Sequence, residues 1–296
     1  LETKLRKVES FASATRLKRF ISMPHKYWHL MLTRHLIKSP YGVMKKIRTF
    51  WGDDFSVLLP ASSDIYLSGG KTHDSEIRLC KFLIKNLKDK DIVFDIGAHF
   101  GFFSIFMSSL VKTGKVYSFE ASKINYNVLQ ENALNKKNIQ IRHLAISDCV
   151  EKINFYEFPV YYSEYNSTNQ LQYKDEKWFQ DNKPTLTVLD AITIDAFCTS
   201  NGVFPKFIKM DVEGAEDKAI RGAIDLFSNH SVILAMEYLA PERGNESHKS
   251  AVQLLKSLHY NSYVIDGKGM LTPELDLDAY LRHSKLESDN IIFIKK

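Results

Sequence analysis

The run Asp91-Ile-Val-Phe-Asp-Ile96, followed at once by Gly97 and Gly101, constrains this chain more than any other stretch. It is nearly continuously apolar, the pattern of a strand buried on both faces of a parallel sheet. Glycines directly after it permit a tight turn into a helix. From about residue 71 the same alternation repeats. Helices are expected over residues 77–87, 102–111, 124–135, 215–227 and 250–258. Strands are expected over 91–96, 115–119, 139–144, 204–210, 232–236, 260–265 and 291–294. Strands alternating with helices at this spacing make right-handed βαβ units. The fold class is therefore α/β, a doubly wound, mostly parallel sheet flanked by helices.

Residues 1–70 read differently, as a basic, mainly helical extension preceding a catalytic-sized unit over 71–296. Leu5, Val8, Phe11 and Ala12, then Leu17, Phe20 and Ile21, recur at three- and four-residue steps. A second helix is expected from Tyr27 to Ile37, stopping near Ser39-Pro40. Its apolar residues require a cover: the main domain, a second subunit in a homodimer, or a membrane surface. Residues 1–50 hold 12 Lys and Arg against Glu2 and Glu9, a balance of +10; the remaining 246 residues hold 28 against 33, a balance of −5. A basic head on an acidic body suits an anionic membrane surface, a phosphorylated substrate or nucleic acid, or is a solvated helix face.

Composition excludes several classes. With 44% apolar and 25% charged residues the chain is neither disordered nor collagen-like. No run approaches the ~18 apolar residues of a membrane span, and the first 20 residues lack the apolar core of a secretory signal. Cys80, Cys149 and Cys198 are odd in number and widely spaced, which suits buried thiols in a reducing compartment. A cytoplasmic protein, peripheral to a membrane at most, is expected.

The chemistry concentrates at strand ends. In Val93-Phe-Asp95-Ile-Gly97-Ala98-His99-Phe-Gly101, an imidazole stands where a dinucleotide-binding turn needs its second glycine, which disfavours a dinucleotide. Asp95 and the loop amides instead suit a ligand carrying an ammonium and a carboxylate. Glu120 ends the next strand, 19 residues after Gly101, where a carboxylate can take both ribose hydroxyls of an adenosine. Ser147-Asp148 ends the strand after that and places an acceptor for the exocyclic amine of adenine. Each acid alone suits a helix cap or turn; three after successive strands suit a nucleoside. Further on, Lys209-Met-Asp211-Val-Glu213-Gly214-Ala-Glu216 leaves a central strand and Glu237 ends its neighbour. Asp211, Glu213 and Glu237 are candidate bases or orienting groups for an acceptor hydroxyl, and they also suit a divalent cation. Glu216 reads as a helix cap. Residues 155–179 carry nine aromatics in 25, with Ser163, Asn166, Ser167, Thr168, Asn169 and Gln170 among them. This suits a wall for a flat or sugar-like ligand, or a hairpin on the sheet edge.

These segments resemble the FkbM-type family of S-adenosylmethionine-dependent methyltransferases, a branch of the class I Rossmann-like enzymes. The matching residues are Phe94-Asp95-Ile-Gly97-Ala98 with Gly101, Phe119-Glu120, Ala145-Ile-Ser147-Asp148 and Phe207-Ile-Lys-Met-Asp-Val-Glu-Gly-Ala-Glu216; Asn125-Tyr126 and Thr193-Ile-Asp195 are similar too. The resemblance spans roughly residues 70–295. It implies that Asp95, Gly97 and Gly101 hold the methionine part of the cofactor, Glu120 the ribose and Asp148 the adenine. Ala98, His99, Ala121 and Ser147 complete the expected set. It also implies an acceptor oxygen near Asp211 and O-methylation of a sugar, glycan or related hydroxyl compound. His99 departs from the family's usual Asn; its imidazole titrates near neutrality and can donate to the cofactor or face the substrate. Two other readings stay open: a catalytically inactive glycan-binding or scaffold protein on this fold, and a nucleic-acid methyltransferase. An oxygen acceptor is favoured over the second, because Asp211-Val-Glu-Gly stands where a base-flipping motif belongs.

Overall fold

The structure, a computed structural model, describes residues 1–35, 42–168 and 177–295. Eight strands form one sheet in the order 271–273, 260–265, 288–295, 233–239, 207–210, 92–96, 115–119, 139–142. The five strands from 233–239 to 139–142 are parallel, and the three at the other edge are antiparallel. The chain moves outward from 92–96 through 115–119 to 139–142, then returns to lay 207–210 and 233–239 on the opposite side. The order therefore reverses between 92–96 and 207–210, and the crevice at a reversal point is where ligands enter open α/β sheets. Val93, Phe94 and Ile96 are buried within the sheet, as their near-continuous apolar run requires. One buried cluster contains Val93 and packs under the helices 74–86 and 102–110; the other contains Phe94 and packs under 194–201 and 246–257.

Several elements end where their caps dictate. Ser122 Oγ accepts from the Asn125 amide and starts helix 123–133; Thr193 Oγ1 accepts from the Ala196 amide and starts 194–201. Two expectations change. The helix expected over 215–227 is two, Glu216–Arg221 and Ile224–Asn229. The break falls at Gly222, where a Cβ would sit 2.1 Å from the Ser147 carbonyl oxygen. The strand expected over 139–144 ends at Arg142; Ala145–Ile146 instead joins a separate three-stranded sheet with 185–192 and 151–157.

The head, expected as mainly helical, also carries two strands. Helices Glu2–Ser13, Arg16–Ser22 and Pro24–His35 are followed by an antiparallel hairpin, Val43–Arg48 with Asp54–Leu59, and by helix Ser63–Ser68. The hairpin docks through Ser56, whose amide donates to Asn132 Oδ1 at 2.6 Å. The stop expected at Ser39-Pro40 lies outside the described residues. Cys80 and Cys198 are buried thiols as expected, but Cys149 is exposed, because the turn after Ile146 carries it to the surface. Among the described residues no helix is long and apolar enough to cross a membrane.

Candidate active site

A cavity of about 260 Å³ opens at the reversal point. Its floor is set by one close approach. Gly97 adopts φ +75°, and a Cβ there would lie 1.7 Å from the Asp211 carbonyl oxygen. Only glycine lets the turn after strand 92–96 pass against the end of strand 207–210. The Gly97 and Ala98 amides donate to Phe119 O, and the Asp211 amide donates to Ile96 O, so three strand ends are tied together.

Glu120 stands at one end, buried. Its Oε2 accepts from the His99 amide at 2.7 Å and its Oε1 from the Ser122 amide at 2.9 Å, with Asn125 Nδ2 at 3.5 Å. Burial pushes its carboxyl up to about 7 against those hydrogen bonds. Asn125 also lines the cavity, and its Oδ1 is buried without a hydrogen-bond partner. A carboxylate with spare lone pairs beside an unsatisfied amide oxygen is a receptor for hydroxyl donors.

At the other end Asp211, Glu213 and Glu237 each bring a carboxylate oxygen within 4.8 Å of the others. Lys209, buried, places Nζ 3.0 Å from Asp211 Oδ2. Burial alone would raise Asp211, but the Lys209 ammonium holds it below its ordinary range. Burial, then the Asp211 charge, pushes Glu237 up to about 8. Near neutral pH Asp211 is thus ionised and Glu237 protonated, beside the fixed Lys209 ammonium. Such a set can accept or share a hydroxyl proton, and three convergent carboxylates can also hold a divalent cation.

Two walls close the cavity that no motif announced. Ala61, Ser62, Asp64, Ile65, Lys71 and Glu76 come from the loop and helices after the head hairpin. Tyr161, Ser163, Asn166 and Thr168 come from the aromatic-rich segment, which turns through a short 3₁₀ helix, Val160–Tyr165. That segment is pinned at both ends of the site: Ser163 Oγ lies 2.9 Å from His99 Nε2, and Ser167 Oγ donates to Glu213 O at 2.8 Å. Behind it Trp178 stacks on Tyr162 and Tyr165, with ring centroids 4.6 and 4.8 Å apart. Phe155 lies on an antiparallel strand pair, but in the separate three-stranded sheet rather than in a hairpin on the main sheet's edge, and is buried against Ala145, Leu189 and Ala191. Asn169, Gln170 and Tyr173 lie outside the described residues. The only signal in the sequence for this wall was its density of rings and amides.

A family model, the methyltransferase FkbM domain, matches residues 95–262, more than half of the chain. The chain belongs to the FkbM methyltransferase family. Among solved structures it is similar to the methyltransferase FkbM of Methylobacillus flagellatus KT, 17% identical over 79% of this chain, with TM-score 0.45. It spans 52% of that longer chain, about half its length. It is also similar to a precorrin-6y C5,15-methyltransferase of Geobacter metallireducens GS-15, 13% identical over 75% of this chain and 88% of that one, TM-score 0.40. A third is the Aeropyrum pernix fibrillarin solved with natively bound S-adenosyl-L-methionine, 14% identical over 73% and 74%, TM-score 0.39. No curated protein matches the sequence.

The site residues expected from the sequence divide into two groups. Gly97, Ala98, His99, Glu120, Ala121, Asp211, Glu213 and Glu237 all line the one cavity. Asp95, Gly101, Ser147 and Asp148 are not among its lining residues. Asp95 is fully buried in the sheet behind the turn, paired in register with Lys209, and its Oδ2 accepts from Ser104 Oγ at 2.5 Å. Gly101 precedes helix 102–110 at φ +86°, with Leu129 where its Cβ would be. Asp148 is held by Ser147 Oγ and Arg221 Nε, while Leu144, Ala145 and Ile146 face the cavity in that stretch. Glu216, expected as a helix cap, is instead the first residue of its helix, and its Oε1 accepts from the Gly214 amide ahead of that helix at 3.2 Å. One expectation is corrected: His99 does not titrate near neutrality. Burial, then the Lys71 charge, lowers it to about 3, so it is a neutral imidazole at φ +51°.

S-adenosylmethionine, the cofactor of this family, fits the residues present. Its ribose diol would meet Glu120 and the unpartnered Asn125 Oδ1, and its apolar parts the Ala98, Ala145 and Ile146 wall.

Proposed function

We propose that this FkbM-family chain transfers a methyl group from S-adenosylmethionine to a hydroxyl of a sugar or glycan. The observation that carries the reading is a single cavity with a hydroxyl-receiving Glu120–Asn125 end and a carboxylate end at Asp211, Glu213 and Glu237. The bound cofactor supplies an electrophilic methyl on a sulfonium. The chain's own residues do the rest. Glu120 and Asn125 hold the ribose. Asp211, ionised and fixed by Lys209, would accept a hydrogen bond from the acceptor hydroxyl and take its proton as the methyl–sulfur bond breaks and the methyl–oxygen bond forms. A carboxylate held below its ordinary range is a weak base, so its main contribution is aim, and orientation alone can be worth ~7–11 kcal/mol of barrier. Glu237, protonated, donates to a neighbouring acceptor oxygen. Tyr161, Ser163, Asn166 and Thr168 offer a ring and several short polar groups, the mixture a pyranose with one apolar face prefers.

Calorimetric titration tests the first half. S-adenosylmethionine and S-adenosylhomocysteine should bind the wild type in the micromolar range, and Glu120→Ala should weaken binding about 100-fold, because both ribose hydroxyls lose one partner. Folded wild type that binds neither ligand sinks the reading. With binding secured, labelled methyl transfer to free sugars, glycans and lipid-linked glycans identifies the acceptor.

A further inference from the structure

The head shows a surface that the reaction does not use. Its helices dock by one side only. Leu5, Val8 and Leu30 are buried in the core under helices 74–86 and 63–68, and Lys26 Nζ reaches inward to donate to Tyr66 O at 2.8 Å and Leu67 O at 3.2 Å. The opposite side is apolar and open to solvent. Helix Arg16–Ser22 has no buried residue at all and exposes Leu17 by 68% and Ile21 by 67%, with Phe20 beside them. Helix Pro24–His35 exposes Trp28 by 57%, with Met31 and Leu32. Both triplets follow the i, i+3, i+4 spacing of one helix face.

Charge decides what covers this face. Residues 16–35 contain five Lys and Arg and no Asp or Glu. Arg19 is engaged internally, donating to Ala14 O and Ala12 O and lying over the Phe11 ring, whereas Arg16 and Lys18 flank the exposed stripe. A second copy of the chain would bring these bases against the same bases, and nucleic acid would leave the aliphatic side chains uncovered. Basic residues beside Leu, Ile, Phe and Trp are the composition of a helix lying in the interface of an anionic bilayer.

We propose that helices 16–22 and 24–35 form a docking surface for an anionic lipid bilayer, with Leu17, Phe20, Ile21, Trp28, Met31 and Leu32 inserted among the acyl chains and Arg16 and Lys18 at the headgroups. Helix 63–68, on which the head rests, adjoins the loop that walls the cavity, so a docked protein holds its cavity near the bilayer. The surface needs neither cofactor nor acceptor and stands or falls independently of the reaction proposed above.

Co-sedimentation of the full chain with vesicles tests it, using phosphatidylcholine alone and phosphatidylcholine mixed with phosphatidylserine. The wild type should pellet with the anionic vesicles and be released by salt. Ile21→Asp with Trp28→Asp should lower its partition at least about tenfold at unchanged far-ultraviolet dichroism, since each places a charge in the acyl region. Arg16→Glu with Lys18→Glu should lower it too. If the aspartates disturb the helices, Leu17→Ser with Leu32→Ser provides the milder apolar deletion. A wild type that ignores both vesicles overturns the proposal. So does binding that every apolar variant retains, which would be a purely ionic contact. A dimer in sedimentation velocity that the same apolar variants abolish, without vesicle binding, assigns the face to a second copy and also overturns it.

Discussion

The two ends of the cavity are built by different means. At the Glu120 end the groups come from neighbouring strand ends and one helix, and backbone amides fix them: both carboxylate oxygens already accept from main-chain N–H groups. At the Asp211 end the groups are charges that fix one another. Lys209 holds Asp211, burial and then the Asp211 charge keep a proton on Glu237, and the walls arrive from the head hairpin and the aromatic segment. A site held by amides has its geometry fixed by the main chain, although Glu120 itself, raised to about 7 by burial, changes charge near neutrality. A site held by mutual charge responds to pH and to ligand, which is useful where a proton must leave and acceptors must enter and depart.

The harshest way to break this division is at Gly97, where the two ends touch. Gly97→Ala imposes an unfavourable positive φ and drives a methyl into the Asp211 carbonyl. Urea unfolding should show a loss of about 3 kcal/mol or more, the range of a strained backbone plus overpacking. An alanine variant with the wild-type midpoint would mean that the ends are not locked through this contact.

Legibility in the sequence follows the same line. The strand runs, the glycine turn and Glu120 are local, so period and spacing placed them, and strands 115–119 and 260–265 match residue for residue. The head hairpin was not legible, because Met44-Lys-Lys-Ile-Arg48 alternates weakly and its partner strand is stabilised by contacts to Asn132, 76 residues away. Nor was Lys71, which reaches the site only by tertiary packing, whereas Ser163 was legible as one of the polar groups of the aromatic-rich segment. His99 carried the opposite lesson. Its residue type suggested a titrating group, but burial, invisible in sequence, makes it a neutral hydrogen-bond partner for Ser163. Asp95 and Asp148 show that an acid at a strand end can turn into the sheet or outward into a turn, and spacing does not distinguish these.

Asp211→Asn sharpens the contrast at the other end. It removes the ionised carboxylate while keeping its shape, and should lower kcat about 100-fold, the low side of general-base effects, with cofactor affinity within about threefold of wild type. Lys209 then loses its nearest counter-charge and retains Asp95 and Glu237, so some loss of stability should accompany it. If cofactor affinity collapses instead, the two ends are one electrostatic unit and the division fails.

The smallest effect concerns Glu237 and follows from sign alone. Its carboxyl is raised to about 8, so between the ordinary carboxylate range and that value the folded protein holds a proton that the unfolded chain has released. The folded state binds more protons, and stability must fall as pH rises through this window. Glu237→Gln, a neutral mimic of the protonated side chain, should match the wild type near about pH 5 and exceed its stability by about 1–2 kcal/mol near about pH 9, the full shift being discounted for solvent at the rim. Calorimetric melting of both proteins across that range reads the crossing directly. Parallel melting curves would mean that Glu237 ionises normally, and that Asp211 does not reach across to it as the charge-held end requires.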